Sequence, residues 1–316
     1  MGVKGYKGFK QGLVCLDKQY AENTVFEEER AEICSCGMHY CKEPFDVLDF
    51  YGLVDENGTF NEFAEVEPLA EEKTNDNKKY CTTKLKVGAK FTFAGFIKAC
   101  VDFVIEKTKI STDGCANNDN GQRNAQIGSS GDYAQIGSSG NSAKIGSSGD
   151  SAKIGSSGNS AQIGSSGYSA QIGSSGDSAK IGSSGNSAKI GSSGYSAQIG
   201  SSGDSAQIGS SGYSAQIGSS GNSAKIGSSG YSAQIGSSGN YAQIDSTGEY
   251  SVICCAGHSS IVKAKKGSWI TLSEWEYNEE KEKYIPICVK TKFVDGTKIK
   301  EDTFYKLEKG RFKRCK

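Results

Sequence analysis

Isoleucine recurs at every ninth position through the middle of the chain, and alanine lies two residues before it. The unit is Ala-(Gln/Lys)-Ile-Gly-Ser-Ser-Gly-(Asp/Asn/Tyr)-(Ser/Tyr). Ala and Ile alternate with polar residues, which predicts a short strand with one buried side, and Gly-Ser-Ser-Gly predicts a turn whose glycines are able to take positive φ. Such units bury an apolar side only by stacking, so the pattern predicts a β-solenoid. The isoleucines are Ile127, Ile136, Ile145, Ile154, Ile163, Ile172, Ile181, Ile190, Ile199, Ile208, Ile217, Ile226, Ile235 and Ile244, and Ile253 continues the phase.

A flexible Gly/Ser linker is the alternative, but a linker has no reason to keep an apolar residue in one phase. The eighth position of the unit indicates the coil length. Taken in every second unit, it places Tyr195, Tyr213 and Tyr231 in one column, so two repeats per coil, about seven coils and a rod of about 30–35 Å are predicted. The three rings should form an exposed ladder about 4.8 Å apart. This ladder is either a recognition surface or a stack that stabilises neighbouring coils.

The flanking segments complete a mainly β fold class, with an N-terminal α/β domain and a C-terminal β cap. Residues 80–88 alternate like a strand, residues 24–33 and 44–52 read as helical or turn-rich, and residues 94–109 predict an amphipathic helix. Asp295-Gly296 signals a hairpin in the cap. The predicted domains are 1–110 (α/β), 111–123 (linker or N-terminal cap), 124–259 (solenoid) and 260–316 (β-meander cap).

Charge and composition restrict the partners. The chain has 36 basic and 36 acidic residues, and residues 260–316 hold 15 basic against 9 acidic ones. These charges alternate without a nucleic-acid-binding signature, so a solvated surface is predicted rather than a nucleic-acid contact. The first residues lack an apolar segment, and the chain has no apolar run of membrane-spanning length, which predicts neither a signal peptide nor a membrane span. Eleven cysteines in such a chain are typical of a reducing cytosol.

The stretch CSCGMHYC contains the candidate metal ligands Cys34, Cys36, His39 and Cys41. Thiolates and imidazole suit zinc, but the spacing C-x-C-x2-H-x-C is tighter than usual, and Cys15 could replace one ligand. The alternative is a tight turn with buried thiols. His39 and Cys41 could also form a thiolate pair on one strand face, yet no third orienting residue is found, so no catalytic residue is predicted. Zinc is the one cofactor left open.

Two other solenoid functions do not fit the repeat. Calcium-binding nonapeptides place Asp two residues before the apolar position, where this chain has Ala, as at Ala152 before Ile154. Ice binding needs a flat outer row, but the outward strand position holds long side chains such as Gln162 and Lys180.

The segment CGMHYC-x2-PFDVLDFY resembles an uncharacterised N-terminal domain in proteins of tailed phages and gut-bacterial prophages. The family pattern is G-F-H-x-C-x2-P-L-x-V-x2-Y-Y, with Met in place of Phe here. The ending GSWITL…DG…DTFYKL is similar to the C-terminal ending of such proteins. The layout also resembles ADP-ribosyltransferase-like folds, but the Glu that they require cannot be placed. The positions that match the phage pattern are Gly37, Met38, His39, Cys41, Pro44, Val47 and Tyr51.

Two functional hypotheses follow. In the first, the protein is non-enzymatic, and the rigid solenoid is a scaffold or binding surface for a protein or an extended polymer. In the second, the chemistry lies in residues 1–110, as a thiol or ADP-ribosyltransferase-like enzyme, and the solenoid is a spacer or oligomerisation rod. The phage resemblance implies the cytoplasm of a bacterial host, or the virion, as the location, and a structural role or interference with a host system.

Overall fold

The structure is a computed structural model that describes residues 5–53, 55, 60–108 and 123–315. The chain divides into two compact units, Met1–Phe103 and Val104–Lys316, and each is described by itself. The predicted linker, residues 111–123, lies outside the described residues except for its last residue. No helix of the described residues is long and apolar enough to cross a membrane.

An antiparallel sheet of seven strands dominates the N-terminal unit. A separate two-stranded hairpin, a 3-10 helix at Asp46–Asp49 and the helix α1, Phe93–Thr108, complete it. The strands are β1 Gly5–Phe9, β2 Val14–Cys15, β3 Lys18–Gln19, β4 Thr24–Glu27, β5 Met38–Cys41, β6 Glu62–Pro68, β7 Glu72–Thr74, β8 Lys79–Thr82 and β9 Lys84–Lys90. The sheet order is β4-β9-β6-β1-β5-β8-β7, and β2 pairs with β3. The unit therefore has helix and sheet, as predicted, with sheet predominating.

The helix predicted at residues 94–109 is confirmed as α1. Its apolar face attaches it to the sheet, because the ring of Phe96 stacks on that of Phe63 in β6 with centroids 3.8 Å apart. The side chain of Ile105, also predicted on this face, lies outside the described residues. Five predicted positions of the face are buried: Phe96, Ile97, Cys100, Val101 and Val104.

The strand predictions for this unit are partly right. Residues 80–88 form β8 and β9, separated at Thr83, and residues 44–52 contain the 3-10 helix, as a turn-rich stretch should. The expectation of helix or turn for residues 24–33 is wrong at its start, where β4 forms. Phe26 of β4 packs on the ring of Tyr20, with centroids 4.8 Å apart. This contact favours a strand here, whereas the run of glutamates that follows Phe26 is typical of a helix or turn.

The repeats form a β-solenoid with two units per coil, which confirms the predicted fold. Every second strand pairs in parallel with its equivalent in the next coil, as Ile163 with Ile181. The even-numbered strands form one sheet, called here the even face, and the odd-numbered strands form the odd face. The strands are β10 Gln126–Ser129, β11 Gln135–Ser138, β12 Lys144–Ser147, β13 Lys153–Ser156, β14 Gln162–Ser165, β15 Gln171–Ser174, β16 Lys180–Ser183, β17 Lys189–Ser192, β18 Gln198–Ser201, β19 Gln207–Ser210, β20 Gln216–Ser219, β21 Lys225–Ser228, β22 Gln234–Ser237, β23 Gln243–Ser246, β24 Val252–Cys255 and β25 Ile261–Lys263.

The core of the solenoid is a pair of facing isoleucine ladders flanked by buried alanines. Stacking continues beyond the predicted boundary at residue 259, because Val252–Cys255 pairs in parallel with residues 269–272. The solenoid therefore has about eight turns over residues 126–272, and the start of the predicted cap belongs to the stack.

Glycine at the seventh position of the unit is required by the contact between coils. A Cβ atom on Gly167 would lie 1.9 Å from the carbonyl oxygen of Gly149, and one on Gly185 would lie 1.9 Å from that of Gly167. These glycines are able to take positive φ, but in this structure they do not. The left-handed residue is at the ninth position instead, as at Ser160 (φ 60°) and Ser178 (φ 59°).

Asp and Asn at the eighth position connect each coil to the next. The side-chain oxygen accepts the backbone N–H of the equivalent residue in the following coil. Asn141 accepts from Asn159 at 3.0 Å, and Asp177 accepts from Tyr195 at 3.2 Å. A tyrosine side chain in the column of Tyr195 stacks on its neighbours instead. The variable position of the repeat therefore supplies two ways of joining coils.

The C-terminal strands end both sheets with antiparallel pairs, which confirms the predicted β cap. They are β26 Trp269–Asn278, β27 Lys283–Phe293, β28 Tyr305–Glu308 and β29 Arg311–Arg314. The hairpin predicted at Asp295-Gly296 is wrong: β27 pairs with β26, and β28 pairs with β25 and β29. Asp295 instead accepts the backbone N–H groups of residues 297, 298 and 299. These bonds close a turn that carries the chain from one sheet to the other and hold the pKa of Asp295 low.

Candidate functional site

The tyrosines predicted to stack form a ladder along the solenoid. The ring centroids of Tyr195 and Tyr213 lie 5.1 Å apart with the planes at 4°, and those of Tyr213 and Tyr231 lie 4.9 Å apart at 23°. The side chains are 56%, 44% and 39% exposed in chain order. The predicted stack is confirmed, and its spacing follows from the two-unit coil. Its role in recognition stays a prediction.

Tyr250 extends this ladder by one ring. Its centroid lies 5.0 Å from that of Tyr231, with the planes at 53°. Its place in the ladder was not predicted, because Glu249 holds the eighth position of that coil and Tyr250 is at the ninth. Its left-handed backbone (φ 57°) is shared with the serines at equivalent positions. No feature of the nine-residue pattern predicts that the ring reaches the ladder.

Next to the ladder, the even face carries an open groove of about 1270 Å³. Glycines at the fourth position of the unit form its floor, and exposed Gln and Lys side chains border it. A Cβ atom on Gly182 or Gly200 would meet no atom within 4 Å. The ladder tyrosines lie in the turns that lead into β18, β20 and β22 of this face. The ladder therefore lies where the chain enters the strands that form the groove, and the two are together called here the ladder–groove surface.

The four predicted metal ligands lie close in the N-terminal unit but do not converge. Cys34 and Cys36 lie in the turn before β5, while His39 and Cys41 lie on β5 itself. His39 Nε2 accepts the N–H of Cys34 at 3.1 Å, and Cys34 Sγ lies 2.9 Å from Lys79 Nζ. Within the described part of the chain, no group of three or more His, Cys, Asp or Glu side chains is placed to hold a metal ion. The geometry does not support the zinc site.

We therefore expect protein purified without chelator to contain no stoichiometric zinc by elemental analysis. Cys36→Ser should melt within about 2 °C of the wild type, because a half-buried thiol in a turn contributes little to stability. One equivalent of zinc that is lost in Cys36→Ser would contradict the geometry and restore the metal hypothesis.

The contacts of His39 give it a structural role. The presence of this histidine therefore does not require a thiolate pair with Cys41. Burial lowers the pKa of His39, and the charges of Lys7 and Lys79 lower it further. A neutral imidazole accepts the Cys34 N–H through one nitrogen and so holds the turn before β5. The catalytic pair stays a prediction without support from these contacts.

The four candidate ligands Cys34, Cys36, His39 and Cys41 line one pocket of about 750 Å³ within the N-terminal unit. The pocket also contains Lys7, Cys15 and Tyr51. No role was predicted for Lys7, because only the sheet order brings β1 beside β5. The pocket is the second candidate site of the molecule.

The coils define residues 126–272 as a nonapeptide β-solenoid. The N-terminal unit has its own match: residues 3–99 match a family described as a domain of unknown function (DUF7666). No curated protein and no solved structure matches the chain. The match agrees with an uncharacterised N-terminal domain, while the phage or prophage origin stays a prediction.

Proposed function

We propose that this protein is a non-enzymatic binding protein whose rigid solenoid presents the ladder–groove surface to a macromolecular partner. The observation that carries the proposal is the exposed stack of Tyr195, Tyr213 and Tyr231. Tyrosine offers flat apolar area and a hydroxyl at low entropic cost, and is therefore enriched in recognition surfaces. The fold does not require these three rings, because Asn141 and Asn159 occupy the same column and join neighbouring coils by hydrogen bonds.

The form of the surface favours an extended partner. Each coil repeats the same groups at about 4.8 Å, so the surface offers one contact many times along a straight line. A sheet edge, an extended peptide segment or a linear polymer can use such a row. If the protein comes from a phage or prophage, the partner would be a virion component or part of a host system, met in the bacterial cytoplasm.

The triple variant Tyr195→Asn, Tyr213→Asn, Tyr231→Asn should stay folded and lose its partner. Each introduced amide can accept the equivalent N–H group of the next coil, as Asn159 does. This offsets the loss of ring stacking, which is about 0.2–1 kcal/mol per pair. Circular dichroism should show a melting temperature within about 3 °C of the wild type. In a capture experiment from host lysate, the triple variant should not retain the partner bands that the wild type retains.

Tyr168→Asn is the matched control, because this exposed tyrosine belongs to the other column. It should keep the partner. Equal capture by the triple variant and the wild type would show that the ladder only joins coils. Deletion of residues 124–259 tests the enzyme hypothesis: a turnover retained by the remaining chain on a small substrate would favour chemistry in residues 1–110.

A further inference from the structure

Lys7 is a buried basic residue that lines the pocket of the N-terminal unit. Only 4% of its surface is exposed, and Nζ donates to the carbonyl oxygen of His39 at 2.6 Å. The amine lies over the rings of Phe9 and Tyr20, 5.6 and 5.2 Å from their centroids. The side chain therefore holds its amine in one place, inside the unit and at the wall of the pocket.

Within the part of the chain that the structure describes, no carboxylate is paired with Lys7. The groups around its amine are a carbonyl oxygen, two aromatic rings, the thiols of Cys15 and Cys41, and the like charge of Lys18. A lysine is almost never fully buried unless its charge is paired, because a buried charge without a partner is costly. The pocket is the side from which a counter-ion can reach this amine.

The charged residues of the pocket leave one positive charge in excess. Lys7, Lys18 and Lys79 line it together with two carboxylates, Asp17 and Glu28. The charge of Lys18 is paired with Glu28 at 2.6 Å, and Asp17 is exposed to solvent. A ligand with a single negative charge would make the pocket neutral, whereas a dianion would reverse its charge.

The walls of the pocket offer apolar surface beside the positive charges. The pocket has a volume of about 750 Å³ and includes the rings of Tyr20 and Phe50. The amine of Lys7 lies over Tyr20, and that of Lys79 lies 4.8 Å from the centroid of Phe50. This volume is within the range of sites for small organic ligands and exceeds what an inorganic anion fills.

We infer that this pocket binds a small organic monoanion, whose carboxylate pairs with the Lys7 ammonium and whose apolar body packs on the aromatic walls. The carboxylate accepts a charge-assisted hydrogen bond from Nζ, which is among the stronger polar contacts in proteins. Burial lowers the pKa of Lys7, and a bound anion favours its charged form. The site lies in the N-terminal unit and does not depend on the role proposed for the solenoid.

The test uses the full chain and probes that differ from each other only in charge. Benzoate, phenylacetate and hexanoate are each compared with the corresponding neutral primary amide by titration calorimetry. We expect at least one of the acids to bind with a Kd of about 1 mM or lower, and about ten-fold more tightly than its amide. Lys7→Met should reduce the affinity for this acid to that for the amide. Lys10→Met, which changes an exposed lysine just after β1, should retain the preference for the acid.

Thermal melting without probe reports whether Lys7→Met has folded, and its melting temperature should be at least that of the wild type, because a buried charge has been removed. If this variant does not fold, Lys7→Gln replaces it, since the amide of Gln is neutral and can still donate to His39 O. The inference is overturned if none of the three acids binds to the wild type more tightly than its amide. A folded Lys7→Met protein with an undiminished preference for the acid would overturn it equally.

Discussion

Gly185→Ala should destabilise the solenoid by about 3 kcal/mol, since the coils cannot stay at their present separation. The added Cβ atom would lie 1.9 Å from the carbonyl oxygen of Gly167, which is backbone and cannot rotate away. The coils must separate, and this weakens neighbouring bonds such as Ser184 N–H to Ser165 O, 2.9 Å in the native stack. Urea titration followed by circular dichroism measures the loss, and hydrogen exchange of residues 176–200 should locate it.

Gly182→Ala is the matched control three residues away. Its Cβ atom would meet nothing within 4 Å. The substitution should be neutral or stabilise the fold by about 0.5–1 kcal/mol, because glycine in a strand loses more chain entropy on folding than alanine. If both variants lose stability equally, the close contact between coils is not the reason for glycine at the seventh position.

Lys263→Met should make the stability of the protein strongly dependent on pH above 7. Asp245 replaces the repeat glycine in β23, is fully buried and lies 2.5 Å from Lys263 Nζ. Burial raises the pKa of Asp245 to about 7, although Lys263 opposes this shift. A carboxyl group whose folded-state pKa is raised holds its proton in the native state after the unfolded chain has lost it. The contribution of Asp245 to the free energy of unfolding therefore falls as pH rises from about 4 to about 7, and it levels off above the folded-state pKa.

Without Lys263 the pKa of Asp245 rises further, so this decline should continue above pH 7. We expect the free energy of unfolding of Lys263→Met to fall by about 1.4 kcal/mol per pH unit between pH 7 and pH 9, relative to the wild type. The double variant Asp245→Gly, Lys263→Met restores the repeat residue and should lack this slope. If the free energy of unfolding of the single and double variants changes in parallel with pH, the slope does not come from the buried carboxyl group of Asp245.

The repeats made most of the solenoid predictable. Identical units must stack on each other, and the coil length is evident from the sequence alone, because Tyr195, Tyr213 and Tyr231 fall in every second unit. The helix of residues 93–108 was also predictable, because its apolar face follows from its own spacing. In both cases the information lies within a short window of sequence or in a strict period.

The remaining features depend on contacts between distant segments. The pocket of the N-terminal unit depends on the sheet order, which places β1 beside β5 and so brings Lys7 to His39. No local pattern encodes that order. The need for glycine at the seventh position was not predictable for the same reason: the local turn pattern indicates dihedral freedom, whereas a carbonyl oxygen of the preceding coil imposes the requirement. The four Cys and His residues of CSCGMHYC are close in sequence and line one pocket, but they do not converge on a point where a metal ion could bind.

The parity of the coil has a consequence for how this protein can change in evolution. A gain or loss of two consecutive nonapeptides inserts or removes one whole turn and leaves every later side chain on its original face. A gain or loss of a single nonapeptide exchanges the two faces for everything that follows. If this happened between Tyr213 and Tyr231, Tyr231 would lie opposite the other two rings rather than beside them, and the C-terminal cap would meet the stack half a turn out of phase. Duplication in the gene is therefore tolerated in whole turns only, and the rod can vary in length without losing its ladder.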